Sequence, residues 1–170
     1  MRKLMKIIER IKRIRATGLI LLVFLILVGC DGKIDEPVVE EYRFKTNGME
    51  LSVGEDADGV ISRMMEPNFS STAPSCAGIG QDEVYIYNGF KINVYREGEE
   101  AEIVSIEVTN DTLPTSEGIY IGDVEARLRE VYGEGRPFAG GVEYFGERCT
   151  LRFYLKEGKV TAIKYMKTGS

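Results

Sequence analysis

Val84-Tyr85-Ile86-Tyr87-Asn88-Gly89-Phe90-Lys91-Ile92-Asn93-Val94-Tyr95 spells out a β-hairpin. β-Branched and aromatic residues alternate on both sides of Asn88-Gly89, and Asn-Gly between alternating runs is a strong short-range hairpin signal. Beyond the polar separator 96–100 a third run of the same kind, residues 103–108, completes an antiparallel meander. The pattern then recurs. Residues 142–145, 149–155 and 160–165 read as strands, separated by Gly146-Glu147 and by residues 156–159.

A helical signal stands upstream of each meander. Val53-Gly54-Glu55-Asp56 opens a stretch with Ala57, Val60, Ile61, Met64 and Met65 at helical spacing, closing at Glu66-Pro67. Ile121-Gly122-Asp123-Val124 opens the second, with Leu128, Val131 and Tyr132, closing at Gly133-Glu134-Gly135. The two openings align without a gap, and each puts an acidic residue where the helix dipole favours it. The sequence therefore predicts an α+β domain over residues 41–170. It consists of two tandem repeats, about residues 49–109 and 117–167, each a helix plus a three-stranded antiparallel meander, sharing one sheet with the helices on one face. A further hairpin precedes them, where Tyr42, Phe44 and Thr46 alternate up to Asn47-Gly48 and Met49 and Leu51 continue beyond.

The N-terminus carries an address. A basic run over residues 1–15 leads into the apolar segment 18–28 and ends on Leu27-Val28-Gly29-Cys30, the order of a bacterial lipoprotein signal with its lipobox. Residues 1–29 read as a signal peptide, Cys30 as the lipidated residue, and 30–40 as a short polar tether. The apolar run is too short for the roughly 20 residues of a spanning helix. A diacylglyceryl group with palmitate-type chains suffices for stable anchoring at the extracytoplasmic face of the cell membrane. Asp31 resembles an inner-membrane retention signal if the envelope has two membranes; the sequence leaves one or two open.

The chain of 170 residues carries 22 Lys and Arg against 27 Asp and Glu. Seven of the bases and only Glu9 of the acids lie in residues 1–29, so the remainder is strongly acidic. Such a surface repels phosphate backbones, which argues against nucleic-acid binding. With Cys30 assigned to lipid, Cys76 and Cys149 remain as an even pair in an oxidising compartment, and a Cys76–Cys149 disulfide is the natural reading; two free thiols are the alternative.

Several phrases resemble a known group. Residues 117–123, 129–134 and the stretch from Pro74 to Tyr87, together with the lipobox, look like uncharacterised lipoproteins of clostridial Firmicutes. The tandem organisation is similar to the fold of the beta-lactamase inhibitory protein and, for one repeat, to small outer-membrane assembly lipoproteins. The resemblance implies a lipid-anchored protein that binds other proteins.

Chemistry is sparse. The chain has no histidine, which removes Ser-His and Cys-His nucleophile systems and every His-containing metal site. Neither a Ser-x-x-Lys nor a phosphate loop occurs. Glu55-Asp56-Ala57-Asp58-Gly59 superficially resembles a calcium loop but lacks the closing glutamate, and an acidic first helical turn explains it better. Glu97, Glu99, Glu100 and Glu102 read as a solvated turn. The sequence thus assigns no catalytic residue, metal or cofactor.

What is left for recognition is tyrosine, which supplies large amphipathic area at low entropic cost. Tyr85, Tyr87, Tyr95 and Tyr144 are the binding candidates, on the reasoning that Tyr85 and Tyr87 share one face of their strand and that helices cover the other, aliphatic face. The glycine- and serine-rich segment 68–82 reads as a long loop and a second contact candidate. The function expected is a lipid-anchored extracytoplasmic binding module for an envelope protein. A small carboxylate-dependent hydrolase and a calcium-binding envelope protein are the alternatives.

Overall fold

The register of one long sheet organises the chain. The structure, a computed structural model, describes residues 41–76 and 78–169. Residues 1–40, over which a signal peptide, lipidation at Cys30 and a tether are expected, lie outside the described residues. The described elements run in the order β1 (Phe44–Thr46), β2 (Met49–Leu51), α1 (Ala57–Ile61), β3 (Phe69–Pro74), β4 (Gln81–Tyr87), β5 (Phe90–Glu97) and β6 (Glu100–Val108). They continue with α2 (Glu125–Tyr132), β7 (Arg136–Phe138), β8 (Gly141–Phe145), β9 (Cys149–Lys156) and β10 (Lys159–Lys167). Strands β3 to β10 form an eight-stranded antiparallel sheet in the order β3-β4-β5-β6-β10-β9-β8-β7. The two halves meet where β6 pairs with β10, Ile106 opposite Tyr165 and Val108 opposite Ile163.

The α+β expectation of helix-plus-three-strand repeats is corrected by this architecture, which is mostly β. Its helices are 5 and 8 residues long, and each is followed by four strands rather than three. Helix α1 is short for local reasons. The Asp56 side chain caps it by accepting the Gly59 N–H at 3.0 Å, but Gly59 inside so short a helix costs about 1 kcal/mol relative to alanine. After Ile61 the chain tightens, Arg63 N–H bonding to Val60 O and Met64 N–H to Ile61 O, the i to i−3 pattern that ends a helix. Met65, expected on the apolar stripe, is 78% exposed as a result. The added strands come from stretches that lack an apolar alternation. β3 holds Ser70-Ser71-Thr72 in the segment expected to be a loop, and β7 carries Pro137 just after Gly135.

Phe90, Ile92, Ile103, Ile106, Leu151, Phe153, Ile163 and Tyr165 point to one face and are fully or almost fully buried. Both helices and the β1–β2 hairpin lie on that face. Phe44 of the hairpin sits over the junction of the two halves, its ring 5.0 Å from Phe90 and 5.7 Å from Tyr165. Asn47 and Gly48 turn the hairpin with φ of 48° and 76°, the positive values a primed turn requires. Helix α2 contributes Leu128 and Tyr132, the latter 5.2 Å from Phe153. The Tyr132 hydroxyl is held between Thr115 Oγ1, 2.8 Å away, and the Glu117 carboxylate, which fixes the crossover loop against the core. Helix α1 is tied to the same face by an ion pair, Asp58 Oδ1 lying 2.6 Å from Arg96 Nη2.

Candidate binding face

The other face of the sheet carries no described helix or strand. Because paired residues in an antiparallel ladder share a face, the register defines a row that crosses all eight strands. It runs from Phe69 through Ile86, Lys91, Glu107, Lys164, Arg152 and Glu143 to Arg136, each directly opposite the next. The row is apolar at its β3 end and charged elsewhere. Lys91 Nζ lies 3.0 Å from Glu107 Oε2. Arg152 Nε lies 2.7 Å and Arg136 Nε 3.8 Å from the two oxygens of Glu143, whose residue is only 5% exposed because the two guanidinium groups flank it. Lys164, between Glu107 and Arg152 at the centre of the sheet, makes no ion pair among the described residues.

Around this row the face mixes small polar and aromatic side chains. A second row holds Val84, Asn93, Ser105, Met166, Thr150 and Phe145, with Asn93 Nδ2 donating to Ser105 Oγ at 2.9 Å. On the β7 side Phe138 meets Tyr154 edge to face at 5.3 Å. Arg152 lies over Phe138 at 5.2 Å and Arg136 over Phe145 at 5.3 Å. Such cation–π contacts contribute about 0.5 to 1 kcal/mol each and hold the guanidinium groups over the rings. The arrangement offers a rigid, hydrogen-bonding surface with arginine and aromatic groups, the residue types enriched where proteins recognise one another.

The register separates the candidate tyrosines. Tyr85 lies opposite Ile92, Tyr87 opposite Phe90 and Tyr144 opposite Leu151, so all three belong to the packed face. Tyr87 stacks on Phe90 at 4.9 Å, Tyr144 donates its hydroxyl to Gly133 O at 2.9 Å, and Tyr85 donates to Glu83 at 2.9 Å. Only Tyr95 is on the open face, and there the β3–β4 turn covers part of its ring, Gly80 packing against it. The expected polarity of β4 is thus reversed, its aliphatic residues Val84 and Ile86 facing outward. The charged row escaped the sequence reading. Its visible signal is the polar phase of each strand, Lys91 and Asn93 between Phe90, Ile92 and Val94, or Arg152 between Leu151 and Phe153.

The two cysteines of the disulfide reading are not paired in this structure. Cys76 is exposed in the β3–β4 turn and Cys149 is buried at the start of β9, and both are free. Five inter-strand spacings separate β3 from β9, roughly 24 Å at about 4.8 Å each, whereas a disulfide needs Cα atoms within about 7 Å. Burial pushes the Cys149 thiol up to about 12.

The two acidic clusters face one another. Glu55 and Asp56 line a cleft of about 490 Å³ with Glu97, Glu99, Glu100 and Glu102. Asp56 is occupied as a helix cap and Glu102 accepts from Lys167 Nζ at 2.6 Å. Among the described residues no three acidic or cysteine side chains come together as a metal site. Asp58 and Glu83 share Arg96, whose Nε is 2.6 Å from Glu83 Oε1, and the guanidinium holds both carboxyls below the usual range. Among the described residues no helix is long and apolar enough to cross a membrane.

Fold and face together define a class: a mostly-β domain on an open eight-stranded antiparallel sheet, one side packed and the other carrying no described helix or strand. No family model matches the chain, and no curated protein matches it either. Among solved structures, an extracellular protein containing a SCP domain from Bacillus anthracis str. Ames is similar at 12% identity and a TM-score of 0.41. The match covers 68% of this chain and 44% of that one, so the chain spans less than half the length of that protein. A likeness this loose carries no argument.

Proposed function

We propose that the chain is a lipid-anchored extracytoplasmic binding module whose open sheet face docks an envelope protein. The observation that carries the reading is the charged row on an eight-stranded face that carries no described helix or strand. It has four basic residues, Lys91, Lys164, Arg152 and Arg136, against two acidic ones, Glu107 and Glu143, on a chain of formal net charge −5. The row is therefore net positive within an acidic molecule. A partner surface bearing carboxylates complements it, and Lys164 is the group with no intramolecular ion pair to lose on docking among the described residues. Charge complementarity of this kind sets orientation and encounter rate more than raw affinity. The lipobox at Cys30 supplies the anchor, and the likeness to clostridial lipoproteins accords with that reading.

The experiment is in-cell crosslinking of the full chain with an amine- and carboxyl-reactive reagent, followed by mass spectrometry of the adducts, with a Cys30→Ser chain alongside. One dominant envelope protein attached to the wild-type chain, lost when the anchor is removed, supports the module. Equal, diffuse attachment in both chains defeats it.

A further inference from the structure

The two edges of the sheet are built differently. At one edge β7 is three residues long, begins with Arg136 and contains Pro137, which has no N–H to offer. Short length, charge and proline are the usual devices that prevent a sheet edge from pairing with another chain. At the other edge β3 is twice as long, has no charged residue from Phe69 to Pro74, and is exposed at every position. Its only proline is the last residue. In an antiparallel ladder alternate residues turn their N–H and C=O away from the partner strand, so β3 presents a row of backbone donors and acceptors with no described strand beyond it.

The apolar groups at this edge indicate what pairs there. Phe69, 57% exposed, stands at one end of β3, and Ile79, 95% exposed, stands in the turn at the other. An antiparallel self-pair brings opposite ends together, so the Phe69 end of each copy meets the Ile79 end of the other. That is the self-complementary arrangement an isologous two-fold interface needs. The strand is neutral, so no like charges face each other across the axis. We propose that β3 is a homodimerisation edge, two copies joining their sheets through antiparallel β3 strands into one continuous sheet. The two-fold axis is perpendicular to the sheet, both open faces lie on the same side, and residues of one face pair with each other. The axis therefore passes midway between the two copies of Ser71 or of Thr72, which face each other.

Six paired residues fall short of the roughly 1,200 Å² of a stable interface, so the pair is weak and is best captured covalently. The test uses the full chain in detergent solution, in a Cys76→Ser background, with Ser71→Cys, Thr72→Cys and, as a control in the β9–β10 turn, Glu157→Cys. On oxidation one of the two β3 variants yields a covalent homodimer at least ten-fold above the Glu157→Cys level. Adding Lys at the other central position (Thr72→Lys with Ser71→Cys, or Ser71→Lys with Thr72→Cys) lowers that yield at least ten-fold. Dimer at or below the Glu157→Cys level in both variants overturns the proposal. Preferential capture of a different protein in cells also overturns it, in favour of a partner's strand on the same edge. Loss of the envelope partner in the crosslinking described above leaves this result untouched, because the open face and the edge are read separately.

Discussion

Glu143 and Arg152 stand opposite each other across β8 and β9, with Arg152 Nε 2.7 Å from Glu143 Oε2 and the carboxylate nearly removed from solvent. Arg152→Met leaves that buried charge with only Arg136 at 3.8 Å. Stability is expected to fall by about 2 to 3 kcal/mol, the range for a buried carboxylate that loses its main partner. Urea unfolding at pH 7 measures it; an unchanged midpoint contradicts the arrangement. Exposed Lys45, paired with Glu50 at 3.0 Å, is the contrast, and Lys45→Met is expected to cost under about 1 kcal/mol.

Arg96 makes stability depend on acid. Its hydrogen bonds hold Glu83 and Asp58 below their ordinary values. A carboxyl whose folded pKa is depressed adds stability that is fully present above the unfolded value, about 4, and is lost as pH falls through the folded one. Asp58 is largely exposed and adds little, so Glu83 dominates. Arg96→Met is therefore expected to destabilise at pH 7 and to converge on the wild type as pH falls through the depressed folded values. Thermal melts across that range test it, and a constant difference at every pH refutes it.

The two described cysteines should differ in reactivity. Cys149 is buried with its thiol raised to about 12, which lowers its thiolate fraction on the order of a thousand-fold relative to an ordinary thiol. Native protein is expected to alkylate at Cys76 within minutes and at Cys149 only on unfolding. Peptide mapping after a short pulse of iodoacetamide distinguishes the sites, and a linked Cys76–Cys149 peptide would contradict the strand order.

Gly80 permits the β3–β4 turn to close on β5. A Cβ there falls 2.2 Å from the Arg96 carbonyl oxygen and 2.8 Å from the Tyr95 ring. Gly80→Ala is expected to cost about 2 to 4 kcal/mol, because backbone must move to admit the methyl. Gly158, at φ 72° in the β9–β10 turn with open space around it, tolerates asparagine for under about 1 kcal/mol. Equal losses at the two sites would contradict this packing.

The parts of the fold legible in the sequence are those governed by local chemistry. Asn47-Gly48 names its own primed turn, Asn88-Gly89 marks a two-residue turn in which only the glycine takes positive φ, and the alternation of Phe90, Ile92 and Val94 marks a strand with one buried side. Helix length was less legible, because Gly59 and the tightening after Ile61 override the spacing of Met64 and Met65. β3 was hidden because an edge strand with little to bury needs no apolar alternation; Phe69-Ser70-Ser71-Thr72 looks like a loop. The candidate face was hidden for a different reason. Which side of β4 points outward depends on its register with β5, and which charges meet at Lys164 depends on β6 pairing with β10, more than fifty residues away. A register is a tertiary property, and one residue of slip would have placed Tyr85 and Tyr87 outside.

Site-specific photocrosslinking on the full chain in its membrane tests the open face most directly. A photoreactive residue replaces Lys164 at the centre of the charged row in one chain and Glu157 in the β9–β10 turn in another. The account predicts one dominant protein adduct at position 164, reduced at least ten-fold by Arg136→Glu with Lys91→Glu, and no such adduct at 157. No adduct at 164, or the same adducts at both positions, would contradict a binding face on this sheet.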